Sequence, residues 1–222
     1  TLLYALESAA TEALRAARTA QKLPVEIGEI RGMDAEEILN FFYGQVVFTR
    51  TPKGWARPFD PDAFRGIKLL EALVDAETGE VVAEAEAKLN ARSARKIAEN
   101  TKVVLVGRTD LLGRYMAEDL VNEATGEIFA EAGEELAEAR LAALEDAGID
   151  RLPTLAVDQS NGPWIRNTLA VDKNTNRDEA LIDIYRVMRL GEPPTPETAE
   201  ALFRGLFFDA DRYDLSAVGR VK

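Results

Sequence analysis

The chain has 222 residues, of which 46% are hydrophobic and 30% charged, as in ordinary globular proteins of one large or two smaller domains. It contains neither cysteine nor histidine, which excludes disulfides, Cys/His zinc sites and nucleophiles activated by histidine. A net charge of −12 argues against a free-standing nucleic-acid-binding protein. Since no apolar run reaches the about 18 residues of a membrane span, we expect no membrane partner. The absence of cysteine fits a cytoplasmic location.

The opening part, residues 1–48, predicts two helices and a strand. The alanine-rich segment 8–22 favours a helix. Asp34 is a predicted N-cap for a helix over 35–39, where acidic residues suit the positive end of the helix dipole. The apolar run 46–48 predicts a strand that leads into the middle of the chain.

An internal repeat occupies the middle of the chain. Residues 73–85 align with residues 120–132, an offset of 47 residues. Each copy has two short apolar runs around an acidic turn that contains Thr-Gly-Glu. The turn glycines, Gly79 and Gly126, can adopt the positive φ that a tight hairpin requires. The repeat therefore predicts two β-hairpins.

A helix and a strand follow each predicted hairpin. In the first copy they cover residues 91–100 and 103–106, and in the second copy 135–147 and 152–157. Gly148 supplies a C-terminal stop for the second helix. The pattern predicts two ββαβ units in tandem, which we expect to pack on each other because two copies are too few for an open solenoid.

After Pro163 the chain is again predicted to be helical. Asn176 is a predicted N-cap for a helix over 177–189 with one apolar face. Thr195, followed by a proline that suits the first helical position, predicts a second helix that ends near Gly205. The residues expected in the core of this part are Leu181, Ile184, Tyr185, Met188, Phe203, Phe207 and Phe208.

The distribution of charge separates the middle of the chain from its C-terminal part, while residues 1–48 contain 4 Lys+Arg and 7 Asp+Glu, a balance of −3. Residues 49–160 contain 14 Lys+Arg and 22 Asp+Glu, a balance of −8, whereas residues 161–222 contain 9 and 10, a balance of −1. Together with the repeat, this predicts an α+β chain. A discontinuous, mainly helical domain, residues 1–48 and 161–222, is interrupted by an inserted acidic module of two β-hairpin-helix-strand repeats, residues 49–160.

The C-terminal part also carries a series of unusual sequence motifs. They are Asn-Thr-Leu-Ala-Val-Asp-Lys at 167–173, Ile-Tyr-Arg-Val-Met-Arg at 184–189, Gly-Glu-Pro-Pro-Thr at 191–195, Leu-Phe-Phe at 206–208 and Arg-Tyr-Asp-Leu-Ser-Ala-Val-Gly-Arg at 212–220. In this order they closely resemble the lobe of the beta subunit of bacterial DNA-directed RNA polymerases. Residues 32–43 resemble the segment of that family that precedes a lineage-specific insertion in the lobe. The resemblance implies that the chain is a fragment, because the motif lies well inside the beta subunit.

The resemblance implies a structural role in transcription, as part of one wall of the DNA cleft. The implied partners are the beta', alpha and sigma subunits and DNA, with regulators on the insert. Nucleotidyltransferase activity belongs to the assembled enzyme, so we expect no catalytic residue, metal or cofactor in this segment. In the family, arginines matching Arg189 and Arg212 contact the non-template strand near the start of the melted DNA. A guanidinium is always charged and can hold a phosphate with two hydrogen bonds or stack on an unpaired base.

Simpler interpretations stay open for these residues. Arg189 can instead cap its own helix or pair with Glu192. Trp164 is expected to fix a domain junction rather than stack on a base. Leu190 stands where the family usually has proline, which removes one fixed φ beside Arg189. The acidic residues that could suggest a metal or acid–base site, but whose positions also fit capping, are Asp172, Asp178, Glu179 and Asp183.

A stand-alone interaction or carrier module is the alternative function. Two hairpins with exposed turns resemble lipoyl or biotinyl carrier domains, which need a lysine at the hairpin tip for covalent attachment. Neither tip, 77–79 or 124–126, has one. A surface turn with solvated acidic residues is the simpler interpretation of both tips.

Overall fold

The computed structural model describes residues 1–20, 30–122, 125–157, 161–209 and 211–212, and it mixes helices and strands as an α+β chain. The helices are α1 (Leu2–Ala5), α2 (Ala9–Ala20), α3 (Ala35–Phe42), α4 (Ala91–Asn100), α5 (Glu138–Asp146), α6 (Trp164–Val171), α7 (Arg177–Met188) and α8 (Pro196–Phe207). The strands are β1 (Gln45–Thr51), β2 (Gly54–Pro58), β3 (Leu73–Asp75), β4 (Val81–Ala83), β5 (Val103–Val106), β6 (Leu120–Val121), β7 (Ile128–Ala130) and β8 (Arg151–Leu155). Of the helices in these ranges, none is long and apolar enough to cross a membrane.

The chain divides into two compact units. The first unit combines Thr1–Ile38 with Asn167–Lys222, and the second unit is Leu39–Arg166. The described part of the first unit is helical, whereas all eight strands named above lie in the second unit. These bounds differ from the predicted bounds at 48/49 and 160/161, because β1 forms ladders with β2 and β8 and so belongs to the second unit.

An antiparallel sheet with the strand order β4-β3-β5-β2-β1-β8 organises the second unit. The hairpin β6-β7 forms a separate two-stranded sheet. The strands predicted to end the two repeat units, β5 and β8, therefore differ in position. β5 lies between β3 and β2, whereas β8 pairs with β1 at the edge of the sheet. β5 is a run of four apolar residues, which suits an interior strand, and β8 contains Pro153, which cannot donate to a ladder and so favours an edge.

Backbone hydrogen bonds recur at positions 47 residues apart. Both hairpin turns contain a glycine at positive φ, Gly79 at 81° and Gly126 at 74°. The matched bonds, first copy before second, are Gly66 N to Leu89 O (2.7 Å) and Gly113 N to Leu136 O (3.0 Å), then Leu69 N to Ala87 O (3.0 Å) and Met116 N to Glu134 O (2.9 Å), then Asp75 N to Glu80 O (2.9 Å) and Asn122 N to Glu127 O (2.8 Å).

Side-chain caps begin several helices, because the first N–H groups of a helix have no partner within it. As predicted, Asp34 caps α3, and its Oδ1 accepts from the backbone N of Glu37 at 2.7 Å. Asn90 caps α4 in the same way, with Oδ1 accepting from Ser93 N at 2.9 Å. The bounds of α4 and β5 are those predicted from the repeat.

Two apolar clusters form the core of the second unit. One is centred on Phe48, Leu111 and Met116, none of which is exposed. The other contains Phe59 and Phe64, whose rings stack with centroids 4.9 Å apart. The second cluster contains residues between 59 and 104, whereas the first combines Phe48 and Trp55 with residues between 111 and 152.

The predicted core of the C-terminal part is correct in the middle of α7 and α8 and wrong at their ends. Leu181, Tyr185 and Phe203 are buried, and Ile184 is half-buried. Met188, Phe207 and Phe208 are exposed, Phe208 to 66%. The physical reason is position, because Met188 and Phe207 are the last residues of their helices and Phe208 follows α8, so neither helix continues beyond them.

Candidate nucleic-acid interface

Helices α7 and α8 form the element that carries both candidate arginines. They pack against each other and are joined by the short link 189–195. The predicted N-cap Asn176 accepts from Glu179 N at 3.0 Å, and Thr195 Oγ1 accepts from Thr198 N at 3.3 Å. Helices joined by a short link are antiparallel neighbours, so the C-termini of α7 and α8 lie at opposite ends of the pair.

Arg189 follows the last residue of α7, and its backbone N donates to Tyr185 O at 2.8 Å. Its Nη1 lies 3.8 Å from Glu192 Oε1, with 56% of each side chain exposed. The local pair predicted as the simpler interpretation is therefore present. An exposed ion pair contributes only about 0–1 kcal/mol, so it leaves Arg189 available to a stronger acceptor such as phosphate.

Glu192 is shared between two partners in this link. The Tyr185 hydroxyl donates to Glu192 Oε2 at 2.8 Å, and this hydrogen bond raises the pKa of Tyr185 above its ordinary value. Gly191 adopts a φ of 87°, a left-handed conformation that favours glycine. The Tyr185–Glu192 bond and the two prolines of the link restrain the loop beside Arg189.

Arg212 follows α8 and is 72% exposed. Its Nε lies 3.4 Å from Asp209 Oδ2, and its backbone N donates to Asp209 O at 3.1 Å. A short turn thus presents this guanidinium to solvent, with Asp209 as its ion-pair partner among the described residues. The rest of the sequence motif that begins at Arg212, residues 213–220, lies outside the described residues.

The fold separates the two arginines rather than bringing them together. Arg189 lies at the linked end of the α7–α8 pair and Arg212 beyond its far end. The 12 residues of α8 span about 18 Å at about 1.5 Å per residue. Each guanidinium therefore offers an independent contact, and a common ligand would have to be extended.

A chain of ion pairs that sequence reasoning missed holds the helices of the first unit in place. Arg177 Nη2 pairs with Glu200 Oε2, with only 4% and 7% of the two side chains exposed. Glu200 Oε1 also accepts from Arg204 Nε at 2.5 Å, and Arg204 Nη2 reaches Glu7 Oε1 at 2.7 Å. Glu7 accepts two further bonds from Arg15, both at 2.6 Å. Only the i, i+4 spacing of Glu200 and Arg204 is visible in the sequence.

Gly32 allows the backbone to approach α7 closely. A Cβ at this position would lie 2.4 Å from Tyr4 O and 2.6 Å from Arg177 Cβ, and real Cβ atoms do not approach so closely. The absence of a side chain at Gly32 therefore lets Arg177 reach its buried partner.

Acidification is expected to lower the free energy of unfolding of the first unit, because it protonates Glu7. Burial raises the pKa of Glu7, but the hydrogen bond and charge of Arg15 and the charges of Arg204 and Arg177 outweigh it, so the net pKa lies below 4.5. A lowered pKa stabilises the folded state above the ordinary value, and this contribution is lost as the pH falls through the folded-state value.

We expect Glu7→Gln to cost about 1–2 kcal/mol at neutral pH, allowing for solvent screening, and to flatten the acid limb of the stability curve. Urea unfolding of the two proteins between neutral pH and pH values below 4.5 measures both effects. Parallel curves for the wild type and the variant would contradict this assignment.

Three of the acidic residues in 172–183, namely Asp172, Glu179 and Asp183, accept hydrogen bonds within the first unit. Asp172 accepts from Thr1 Oγ1 at 2.9 Å and from Asn174 N at 3.1 Å, and Asn174 Nδ2 donates to Asp183 Oδ2 at 3.1 Å. Glu179 Oε2 accepts from Thr175 N at 3.3 Å. Within the described ranges, no three His, Cys, Asp or Glu residues are grouped so as to hold a metal ion.

Trp164 begins α6 and is 63% exposed. Its indole lies against Gly162, where a Cβ would be 2.9 Å from Trp164 Cε2. The proposed role of this tryptophan at a domain junction stays a prediction.

Comparison with known proteins yields long matches at high identity. No family model matches the chain. The DNA-directed RNA polymerase subunit beta of Gluconobacter oxydans is 70% identical over 222 residues, and that of Granulibacter bethesdensis 77% over 222 residues. The same subunit of Caulobacter vibrioides is 55% identical over 193 residues.

The first two matches cover 100% of the chain and the third covers 86%. The chain spans only 16% of the length of the first two relatives and 14% of the third. The similarity includes the acidic middle of the chain as well as the C-terminal sequence motifs. The chain therefore belongs, as one segment, to the family of the beta subunit of DNA-directed RNA polymerase.

Proposed function

We propose that this segment forms the lobe of the beta subunit and part of one wall of the polymerase DNA cleft. Arg189 and Arg212 contact the non-template strand or the downstream DNA. Identity of 70–77% over the whole chain carries this proposal, and the exposure of both guanidiniums supports it. The beta', alpha and sigma subunits are the other partners, in the cytoplasm. Nucleotidyl transfer belongs to the assembled enzyme, and this segment supplies no catalytic residue.

Residues 49–160 serve as an inserted module of two hairpin-helix-strand repeats whose outer surface receives regulators. The hydrogen bonds that recur at a 47-residue offset support the repeat. The Ala156 N donates to Gly44 O at 2.7 Å, so the chain enters and leaves the sheet at neighbouring points, as an insertion requires. A balance of −8 over this segment repels phosphate and favours a position outside the DNA channel.

The energies of the two arginine contacts explain why they act only in the assembled enzyme. A hydrogen bond to a charged group contributes about 1.5–3 kcal/mol, whereas association costs about 4–15 kcal/mol in lost freedom. Two such contacts on a segment of net charge −12 do not hold DNA alone. Other parts of the enzyme must supply the remaining contacts.

Substitution of the arginines in the reconstituted polymerase tests the proposal. We expect Arg189→Ala and Arg212→Ala each to shorten the lifetime of the promoter open complex by about fivefold, as the loss of an exposed charge contact worth about 1 kcal/mol predicts. Each variant should also reduce the slope of log lifetime against log salt by about one unit if the lost contact is a phosphate. Because the residues lie far apart, their effects should add.

Arg186→Ala is the matched control, since Arg186 lies on the same helix and is 64% exposed. It should leave the open-complex lifetime unchanged. Wild-type lifetimes for both Arg189→Ala and Arg212→Ala would disprove the contact.

A further inference from the structure

Two arginines converge on one buried aromatic ring in the second unit. The Cζ atoms of Arg57 and Arg114 lie 5.7 Å and 4.9 Å from the centroid of Phe48, which is fully buried. Arg57 Cζ also lies 5.0 Å from the centroid of Phe64, so it bridges the two apolar clusters. The aromatic faces attract the guanidiniums and hold them half-buried at the edge of the core.

Among the described residues, each of these two arginines donates one hydrogen bond, through its Nε. Arg57 Nε donates to Pro58 O at 3.4 Å and Arg114 Nε to Asp110 O at 2.5 Å, both backbone carbonyls. In the part of the chain that the structure describes, neither guanidinium has a carboxylate oxygen within 4.0 Å. By contrast, several other arginines of the second unit form ion pairs, namely Arg108, Arg140 and Arg151.

The acidic side chains that act on the charge of Arg57 each accept a hydrogen bond from a backbone N–H of their own turn. Asp60 and Asp110 lie close enough to act on the charge of Arg57. Asp60 Oδ1, however, accepts from Asp62 N at 3.0 Å, and Asp110 Oδ2 accepts from Gly107 N at 3.1 Å. Each carboxylate caps its own turn and acts on the arginines through space, Asp110 on both Arg57 and Arg114, without forming an ion pair with either among the described residues.

Two like charges held half-buried have an energetic cost. Burial, followed by the charge of Arg114, lowers the pKa of Arg57 to about 10, and burial also lowers the pKa of Arg114. An anion within reach of both guanidiniums would offset both the desolvation and the mutual repulsion. A site whose charges are already desolvated and held by packing loses little further freedom on binding.

We propose that Arg57 and Arg114 form a binding site for a single carboxylate of a partner protein, an acidic side chain flanked by basic residues. Guanidinium forks match the planar geometry of a carboxylate and bind it with two parallel hydrogen bonds. The acidic surroundings of the site favour this ligand over nucleic acid. A phosphate backbone brings a continuous run of negative charge, which a segment of balance −8 repels, whereas basic residues beside the carboxylate are attracted to it.

This inference does not depend on the polymerase role or on Arg189 and Arg212. It would name the chemistry of a regulator docking on the acidic segment, and it can fail while the DNA contacts hold. The site also lies where the two apolar clusters meet, since Phe64 belongs to one cluster and Phe48 to the other.

Titration of the isotopically labelled chain, followed by NMR of the arginine Nε–H groups, tests the proposal. The probe is the peptide acetyl-Lys-Glu-Lys-amide, and acetyl-Lys-Gln-Lys-amide is its control without the carboxylate. We expect saturable shifts at Arg57 and Arg114 with the glutamate peptide only. Arg57→Gln or Arg114→Gln should weaken binding about tenfold or more, since each removes a charge-assisted hydrogen bond.

Arg95→Gln is the matched variant, because Arg95 is exposed on α4 in the same unit and its loss changes the net charge equally. It should bind the peptide as the wild type does. The proposal is overturned if no saturable shift occurs at millimolar peptide, if the glutamine peptide acts equally, or if all exposed arginines shift alike. Tighter binding of inorganic phosphate or short single-stranded DNA would also overturn it. If an arginine variant does not fold, the wild-type comparison of the two peptides still decides.

Discussion

Replacement of Arg177 by alanine is expected to lower the free energy of unfolding of the first unit by about 3–5 kcal/mol. Arg177 and Glu200 are paired with 4% and 7% of their side chains exposed. Removal of the guanidinium leaves the buried carboxylate with Arg204 alone, and the cost of desolvating Glu200 is no longer offset. Urea unfolding at neutral pH, followed by far-ultraviolet circular dichroism, measures the change in this helical unit.

Two variants separate the loss of charge pairing from other causes. Arg186→Ala, on the exposed side of the same helix, should change the unfolding free energy by less than about 0.5 kcal/mol. The double variant Arg177→Met, Glu200→Leu should lose much less than Arg177→Ala, because it leaves no unpaired buried charge. A double variant as unstable as Arg177→Ala would show that packing around Arg177, not charge pairing, is the cause.

Excision of residues 45–155 is expected to remove regulator binding completely while the polymerase keeps basal RNA synthesis. Joining Gly44 to Ala156 through a short glycine link requires little rearrangement, since the Ala156 N already donates to Gly44 O at 2.7 Å. Tyr43 stays in place because its hydroxyl donates to Gly162 O at 3.0 Å. The measurements are RNA synthesis and regulator binding by the reconstituted enzyme.

A shifted excision provides the control. Removal of residues 50–160 leaves most of β1 without β2 or β8, so unpaired backbone groups are exposed and we expect aggregation. Loss of basal elongation after the 45–155 excision, in an enzyme that assembles normally, would contradict the proposed role of an inserted module.

Local structure was largely predictable from the sequence. The capped helix α4 and the strand β5 lie at their predicted residues, and Asn176 and Thr195 cap α7 and α8 as expected. These predictions depend on side chains that bond backbone groups only a few residues away, so no tertiary contact can move them far.

Long-range pairing was not predictable in the same way. The equivalence of the two repeats suggests equivalent closing strands, yet β8 pairs with β1 while β5 joins the hairpin of its own copy. The helical period marks Met188 as a core residue, but it lies at the end of α7 and is exposed. The helical repeat of apolar residues shows which residues lie on the same face of a helix. It does not show how far along that face another element packs against it.

The candidate sites show the same contrast between local features, which the sequence predicts, and long-range contacts, which it does not. Arg189 could be placed at a helix end from its pattern, and the local alternative, Glu192, is indeed its neighbour. The partnership of Arg177 with Glu200 spans 23 residues and has no sequence signal. The convergence of Arg57 and Arg114 on one ring is equally invisible, because it depends on how β1, β2 and the turn before Arg114 are arranged.

The sequence by itself determined the family, the helix caps, the hairpin turns and the contrast between an acidic middle and a nearly neutral C-terminal part. These properties depend on residues that are neighbours in the sequence or on recognisable sequence motifs. Only the tertiary structure decided which strands pair, which guanidiniums are buried with a carboxylate and which lack one. Burial sets the energetic cost of a charge, and burial is a property of the packed chain rather than of any residue's neighbours in sequence.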